Sequence, residues 1–160
     1  MILILIIGII THNMVESILF LPAFILLRHL TGGYHANSYF MCNFLFCIAF
    51  ILLLIIYNLT WPFLTSYYCV MITFVSIGII TINCPIEHVN KPIKKEYRKY
   101  YKITAILLGT VYGIIGTVLI VFINKYGALV LYTLFLVAVL VIIAIIKCFC
   151  RPQLSEKCST

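Results

Sequence analysis

The stretch "RHLTGGYHANSYFMC", residues 28–42, interrupts an otherwise hydrophobic chain and decides how its helices are arranged. Its glycine pair, Gly32 and Gly33, favours a turn, because glycine adopts backbone conformations that other residues avoid. The sequence therefore predicts that one helix ends near residues 28–30 and that the next begins near residues 36–38.

The composition places most of the chain in lipid. Of its 160 residues, 64% are hydrophobic and 9% are charged, and the mean hydropathy is +1.19. Soluble domains carry about 25% charged residues, and a chain of this length cannot bury so much apolar surface in a soluble globule. Because only helices satisfy their own backbone hydrogen bonds segment by segment in lipid, we expect an all-α, polytopic integral membrane protein. We treat residues 1–160 as a single domain, without a removable signal peptide at the start.

Hydropathy divides the chain into five apolar runs, which predicts about five membrane-embedded helices of roughly 20 residues. The first run is weakened at residues 11–17, so it is either one span or two short segments. His12 and Glu16 stand four residues apart, and on a single helix they would share a face and could pair with each other or with another helix. A basic loop, the longest hydrophilic piece, precedes the fourth run. The runs cover about residues 1–27, 43–59, 66–83, 103–123 and 128–146.

The basic residues predict which side of the membrane each connection occupies. If the spans alternate, Lys125 falls on one side and the ten other basic residues fall on the opposite side: Arg28, Lys91, Lys94, Lys95, Arg98, Lys99, Lys102, Lys147, Arg151 and Lys157. Lys and Arg accumulate in cytoplasmic loops, so the 28–42 stretch, the basic loop and the C-terminus are predicted to be cytoplasmic. Charges gathered between spans also argue against nucleic-acid binding, despite the net charge of +7.

His35 and Cys42 are the residue types of a general base and a thiol nucleophile. On one continuous helix they would lie two turns, or roughly 10 Å, apart, too far for a proton transfer over about 3 Å. Catalysis would therefore need the helix break that the glycines predict, with Cys42 near the start of the second helix, where the helix N-terminus favours a thiolate. The alternative is that both residues only pack, since cysteine in an apolar helix behaves as a small hydrophobe.

The stretch resembles the signature of the AgrB (accessory gene regulator B) family, membrane peptidases of Gram-positive quorum sensing. The match lies in the type and spacing of Arg28, Gly32, Gly33, His35, Ala36 and Cys42. A second segment, "CPIEHVNKPIKKE" at 84–96, resembles that family's cytoplasmic P-x-E-x-x-N-K-P stretch through Pro85, Glu87, Asn90, Lys91 and Pro92. The resemblance covers about residues 15–146. Family members usually have a longer segment before the first strongly apolar run than this chain has.

The resemblance implies a cysteine endopeptidase that acts on a short precursor signal peptide in the cell membrane of a Gram-positive bacterium. Cys42 would attack the scissile carbonyl, while His35 would deprotonate the thiol and then protonate the leaving amine. The rest of the precursor would remain on Cys42 as a thioester. A thiol or hydroxyl within the peptide would then attack the thioester and give a cyclic thiolactone or lactone autoinducer.

Several residues around this pair have roles that the sequence leaves open. Arg28 could hold a peptide carboxylate or carbonyl, or anchor a helix end by snorkelling. The glycine pair of the motif is a candidate orienting or substrate-binding element. Glu87 is the preferred orienting carboxylate, although it could equally pair with Lys91, and Glu16 is the second candidate.

Other partners and rival functions complete the expectations. The basic loop at 91–102 predicts attraction to anionic lipids, and a homodimer is a further expectation. A metal site would have to gather His29, His35, Cys42, Cys84 and His88, whose spacing does not match a zinc signature, so we expect no metal and no cofactor. A non-enzymatic small transporter or scaffold is the alternative function. A transporter would carry more polar groups at mid-membrane, whereas here they cluster at one interface.

Overall fold

The computed structural model describes residues 2–31, 39–60, 63, 66–84 and 95–149, and it describes their side chains except at residues 39–42, 66, 95–96, 124 and 147–149. The predicted all-α architecture is confirmed over this part of the chain. Its six helices are α1 Ile2–Ile10, α2 Met14–Thr31, α3 Tyr39–Thr60, α4 Ser66–Asn83, α5 Lys95–Phe122 and α6 Asn124–Phe149.

Five of these helices correspond to the predicted apolar runs. Within the described residues, α2, α3, α5 and α6 are long and apolar enough to cross a membrane, and α4 contributes a shorter apolar helix, Tyr67–Asn83. The nine residues of α1 extend about 14 Å, which is less than half of the roughly 30 Å hydrocarbon core of a bilayer. The polytopic membrane fold is therefore built from α2 to α6, and α1 is an added short helix.

The first apolar run, residues 1–27, forms two helices instead of one. Residues 11–13 make the turn between α1 and α2, and His12 adopts a positive φ of 55° there. Ile4 is fully buried and ties α1 into the main core. Of the alternatives for this region, two short segments is therefore the correct one. His12 and Glu16 do not share a helix, and Glu16 pairs with another helix instead, through Lys125 at the start of α6.

α5 begins inside the segment that the sequence presents as a basic loop. The apolar run starts near residue 103, but the helix already starts at Lys95 and continues for 28 residues. Hydropathy missed this start because the first eight residues of the helix are charged or tyrosine. Such residues end an apolar run, but they do not prevent the backbone from continuing as a helix in water. At the other end, only Ile123 separates α5 from α6.

α6 is the central helix of the bundle and contacts α2, α3, α4 and α5. Its core-facing side chains include Leu129, Leu134 and Val137, all fully buried. α5 approaches α6 closely where they meet, because Gly127 has no side chain and lies against the backbone of Ile120. Small residues permit this kind of close helix contact in membranes.

The helix ends fall into two groups. α2 and α4 end, and α3 and α5 begin, at what we call the motif end, because the two sequence motifs connect these helices. At the opposite end, Lys125 at the start of α6 meets Glu16 of α2 and Tyr57 of α3. We call this the ion-pair end and define it by those three residues.

Candidate functional site

The first motif sits at the predicted break between two helices. α2 ends at Thr31 and α3 begins at Tyr39, so seven residues connect them. The backbone of Cys42 is the fourth residue of α3, in its first turn, as the glycine pair predicted. Gly32, Gly33 and His35 lie outside the described residues, as does the side chain of Cys42.

Four phenylalanine side chains set the register between α2 and α3. The ring centroids of Phe20 and Phe50 are 4.7 Å apart, and those of Phe24 and Phe46 are also 4.7 Å apart. The two contacts show that α2 and α3 are antiparallel, because moving four residues forward on α2 corresponds to moving four residues back on α3. The next step of four residues on each helix brings position 28 opposite position 42. The phenylalanines therefore place the backbone of Cys42 opposite the turn that carries Arg28.

The start of the second motif lies at the same end of the bundle. Cys84 follows α4 directly, is buried, and belongs to one core cluster with Leu27 of α2 and Ala105 of α5. The charges of Arg28 and Lys102 both act on its thiol. The ends of α2 and α4 and the start of α5 thus converge. Glu87, three residues beyond Cys84, lies outside the described residues.

The described cysteines are interior residues. Burial raises the pKa of the Cys84 thiol to about 12, although Arg28 and Lys102 oppose this shift, so the thiol is neutral at physiological pH. Cys69 is buried and Cys47 is half-buried against the core. All three are free thiols that pack, and burial denies Cys84 the thiolate that a nucleophile needs.

Glu16 is far from the motif end, so its prediction as second candidate for the orienting carboxylate is wrong. α2 is one continuous helix from Met14 to Thr31, and the twelve residues from Glu16 to Arg28 correspond to about 18 Å along its axis. The Glu16 carboxylate instead lies 2.6 Å from the Lys125 ammonium at the ion-pair end. The negative charge of Glu16 neutralises Lys125, the single basic residue that the sequence analysis predicts on that side of the membrane.

Sequence reasoning missed the polar contacts that accompany this ion pair. The Tyr57 hydroxyl donates a hydrogen bond to the backbone carbonyl of Lys125 at 2.9 Å. One turn further along α3, the hydroxyls of Thr60 and Tyr132 are 2.7 Å apart. The sequence does contain a signal for the ion pair itself. Glu16 is an acidic residue inside an apolar run, and Lys125 is the one basic residue predicted on the side opposite the other ten. Opposite charges in these two unusual positions favour an ion pair.

No group of three or more His, Cys, Asp or Glu residues that could hold a metal occurs within the described residues. Of the alternative metal set, His29 and Cys84 are described with their side chains. His35, His88 and the Cys42 side chain are outside that description, so the full set stays an untested alternative.

Comparison with known proteins identifies a family. The family model described as "AgrB: Accessory gene regulator B" matches residues 1–150. No curated protein matches the chain, and no solved structure does. The family match covers both motifs and all six helices. The chain therefore belongs to the accessory gene regulator B family, which takes part in processing the peptides of quorum sensing.

Proposed function

We propose that this chain is a membrane cysteine peptidase that cleaves a short signal-peptide precursor through a thioester and promotes its cyclisation to a thiolactone or lactone. The observation that carries the proposal is the helix break between Thr31 and Tyr39, with residue 42 in the first turn of α3. His35 precedes the first residue of α3 in the sequence, and we propose that it turns back toward Cys42 instead of extending that helix. A base on the connection can approach a thiol at the helix start to within proton-transfer distance.

The first chemical step is acyl transfer to Cys42. His35 takes the thiol proton, and the thiolate attacks the scissile carbonyl carbon to form a C–S bond. When the tetrahedral intermediate collapses, the peptide C–N bond breaks and His35 gives its proton to the leaving amine. The C-terminal segment of the precursor departs, and the remainder stays on Cys42 as a thioester.

The second step uses a nucleophile within the precursor. Its thiol or hydroxyl loses a proton to His35 and attacks the thioester carbonyl, the C–S bond to Cys42 breaks, and the Cys42 thiol regains the proton. A thioester conserves enough acyl-transfer potential for this exchange, and a partly dry membrane interface slows competing hydrolysis. The product is a ring, and the enzyme returns to its starting state.

Two further residues of the motif end have proposed roles. Arg28 stands opposite position 42 in the α2–α3 register, where a guanidinium favours a nearby thiolate. Glu87, close in sequence to Cys84, is proposed to orient His35, as the third group of a catalytic triad does. The glycine pair, Gly32 and Gly33, is proposed to let the connection turn back over the start of α3.

The setting of the reaction is likewise proposed. The motif end would face the cytoplasm of a Gram-positive bacterium, because it receives ten of the eleven basic residues if the spans alternate. The precursor would bind there, beside anionic lipid headgroups attracted by residues 91–102. A homodimer is proposed as the assembly in which the enzyme works.

Covalent trapping tests the peptidase directly. The protein in lipid vesicles is mixed with the precursor encoded beside it, and intact mass is followed. We expect an adduct with the mass of the N-terminal precursor fragment that hydroxylamine removes. Cys42→Ala and His35→Ala should abolish the adduct, because they remove the nucleophile and its base. Cys47→Ala is the matched control and should retain the adduct.

The alternative function, a non-enzymatic transporter or scaffold, predicts different results. Cys42→Ser keeps the size of the side chain but provides a much weaker nucleophile, so a scaffold would tolerate it and a thiol peptidase would not. Precursor cleavage that survived Cys42→Ala would contradict the proposed function and leave the first motif as a connecting turn.

A further inference from the structure

The exposed face of α5 shows where the lipid tails meet the bundle. Large apolar side chains follow one another at helical spacing along this face, and all of them are exposed: Ile103, Leu107, Ile114, Val118 and Val121. From first to last they extend about 27 Å, close to the roughly 30 Å of a hydrocarbon core. One turn before Ile103, the exposed residues change to Lys99 and Tyr100. The edge of the hydrocarbon at the motif end therefore lies near Ile103.

Two glycines of α5 give its register against α4. A Cβ built on Gly109 would lie 3.9 Å from the Ile80 side chain, and one built on Gly113 would lie 3.3 Å from the Ile77 side chain. Moving forward on α5 corresponds to moving back on α4 by a similar number of residues. The two helices are therefore antiparallel, and the level of each residue of α4 can be read along α5.

Exposed tyrosines mark the opposite boundary of the bilayer. Tyr67 and Tyr68 are both exposed at the start of α4, and the register brings them level with residues 121–122 of α5. Tyr100 lies about 32 Å from that level along the axis of α5. Because tyrosine accumulates at both membrane interfaces, the two sets of tyrosines fit the two boundaries of one bilayer.

The same register gives the depth of the first motif. It brings Cys84, at the end of α4, level with Ala105, and both belong to one core cluster. The charge of Arg28 acts on the Cys84 thiol, and the phenylalanine register places the backbone of Cys42 opposite Arg28. Ala105 lies about 8 Å further into the bilayer than Tyr100. The first turn of α3 therefore belongs at a level below Tyr100.

We propose that Lys99, Tyr100 and Lys102, which we call the headgroup face, bind anionic phospholipid headgroups and hold the backbone of Cys42 beneath them. Both lysines are exposed and lie one turn apart, and basic residues near an anionic membrane surface are attracted to it. The exposed Tyr100 ring packs edge-on against Tyr101, with centroids 6.1 Å apart. Lipid is the occupant, because the headgroup face continues the apolar face that lipid tails cover.

This depth has a consequence that rests on the proposed function. A peptide bond that Cys42 attacks would have to reach below the headgroups, where water is scarcer than at the surface. The placement itself needs no substrate and can be measured on the protein in lipid.

Tryptophan quenching measures the depth. Trp61, the single tryptophan of the chain, is replaced by phenylalanine, and one new tryptophan is introduced by Phe44→Trp, Tyr100→Trp or Ile114→Trp, all at exposed positions. The full-length protein is reconstituted in phosphatidylcholine with bromine near the headgroup end or the methyl end of the acyl chains. We expect Phe44→Trp, two residues after Cys42, to be quenched most by bromine near the headgroups and little by aqueous iodide. Ile114→Trp is the deep control and should be quenched most by bromine near the methyl end.

The lipid preference is measured with the Tyr100→Trp probe. Brominated phosphatidylglycerol and brominated phosphatidylcholine are compared at the same mole fraction. We expect phosphatidylglycerol to be preferred about fivefold beside this probe. The double variant Lys99→Gln with Lys102→Gln should remove the preference. Lys157→Gln removes the same charge from the C-terminal tail and should leave the preference unchanged.

Three results would overturn the inference. Strong iodide quenching of Phe44→Trp without quenching by the brominated lipids would place the start of α3 in water. Equal quenching of Tyr100→Trp by the two lipids would exclude an anionic headgroup site. A loss of preference with Lys157→Gln as large as that with the double variant would indicate general surface attraction. Precursor cleavage that survived Cys42→Ala would contradict only the peptidase proposal, and the measured depth would stand.

Discussion

The two ends of this bundle treat their polar groups in opposite ways. At the ion-pair end, Glu16 is bound to Lys125, and Tyr57 donates to the backbone of the same lysine. At the motif end, the charges of Arg28 and Lys102 converge on a buried thiol, and the surrounding sequence has a large excess of positive charge.

This difference separates an end whose charges neutralise each other from an end with an excess of positive charge. A buried polar group costs free energy unless it is paired, and the ion-pair end meets that requirement internally. An excess of one charge sign attracts a partner of the opposite sign. Changes at the ion-pair end should therefore alter stability, and changes at the motif end should alter binding and chemistry.

The largest effect should follow from closing the space at Gly127, near the ion-pair end. A Cβ built on Gly127 would meet the backbone nitrogen of Ile120, and backbone cannot move aside as a side chain can. We expect Gly127→Ala to cost more than about 4 kcal/mol, the range of exceptional single-site effects, and to leave little folded protein by size-exclusion chromatography in detergent.

Gly109→Ala provides the matched control for that substitution. A Cβ at Gly109 has its nearest neighbours at 3.9 Å, an ordinary contact, and alanine favours a helix interior by about 1 kcal/mol over glycine. The Gly109 variant should be as stable as the wild type or slightly more stable. Equal tolerance of both alanines would show that the α5–α6 junction is looser than the structure has it.

The Glu16–Lys125 pair should respond unequally to removal of its two partners. The Glu16 side chain is 4% exposed and that of Lys125 is 40% exposed, so only the carboxylate would be left as a buried, uncompensated charge. We expect Lys125→Met to lower the free energy of unfolding by about 3–5 kcal/mol. Glu16→Gln should lower it by about 1 kcal/mol, since Lys125 can still reach water. Unfolding by denaturing detergent measures both.

The double variant Glu16→Gln with Lys125→Met sharpens this test. It leaves no charge at the ion-pair end, so most of the stability lost in Lys125→Met should return. A Lys125 variant no weaker than the Glu16 variant, or a double variant with the sum of both losses, would contradict a paired buried carboxylate.

Removing the Tyr57 hydrogen bond should have a smaller effect on the free energy of unfolding and no effect on the chemistry at the motif end. Tyr57→Phe removes the hydroxyl that donates to the Lys125 carbonyl and should lower the free energy of unfolding by about 1 kcal/mol. Tyr67→Phe, at an exposed position of α4, is the control and should have no effect. Both variants should form the acyl adduct at the wild-type rate; a slower rate with Tyr57→Phe alone would show that the two ends are coupled.

The sequence predicts features whose cause is local. The glycine pair predicts where α2 stops, and the apolar runs predict the five main helices, because turn preference and span length depend on neighbouring residues. The position of residue 42 in the first turn of α3 follows from those two facts. His35, Glu87 and their contacts stay predictions from the motifs.

Features that depend on contacts between distant parts of the chain, or that hydropathy does not distinguish, were not predictable in the same way. Glu16 and Lys125 are 109 positions apart in the chain, so their pairing depends on how α2 and α6 pack. The start of α5 at Lys95 was hidden, since hydropathy cannot distinguish a charged loop from a charged helical extension. The phenylalanine contacts between α2 and α3 fix a register that composition alone leaves open.

The smallest effect should appear in the pH dependence of stability at the motif end. The pKa of Cys84 is raised from 9.0 to about 12 by burial, so the unfolded thiol ionises first as the pH rises. Below about pH 9 this pKa shift contributes its full amount to the free energy of unfolding, and the contribution decreases as the pH rises from 9 to about 12. Between pH 9 and 10 the loss should reach about 1 kcal/mol.

The variant Cys84→Ala has no thiol and therefore lacks this loss. The contributions of the other titrating groups are the same in both proteins and cancel in the comparison. Detergent unfolding at pH 8, 9 and 10 should therefore show the difference between the two proteins shrinking as the pH rises. A constant difference would mean that Cys84 reaches solvent instead of lying in a dry interior.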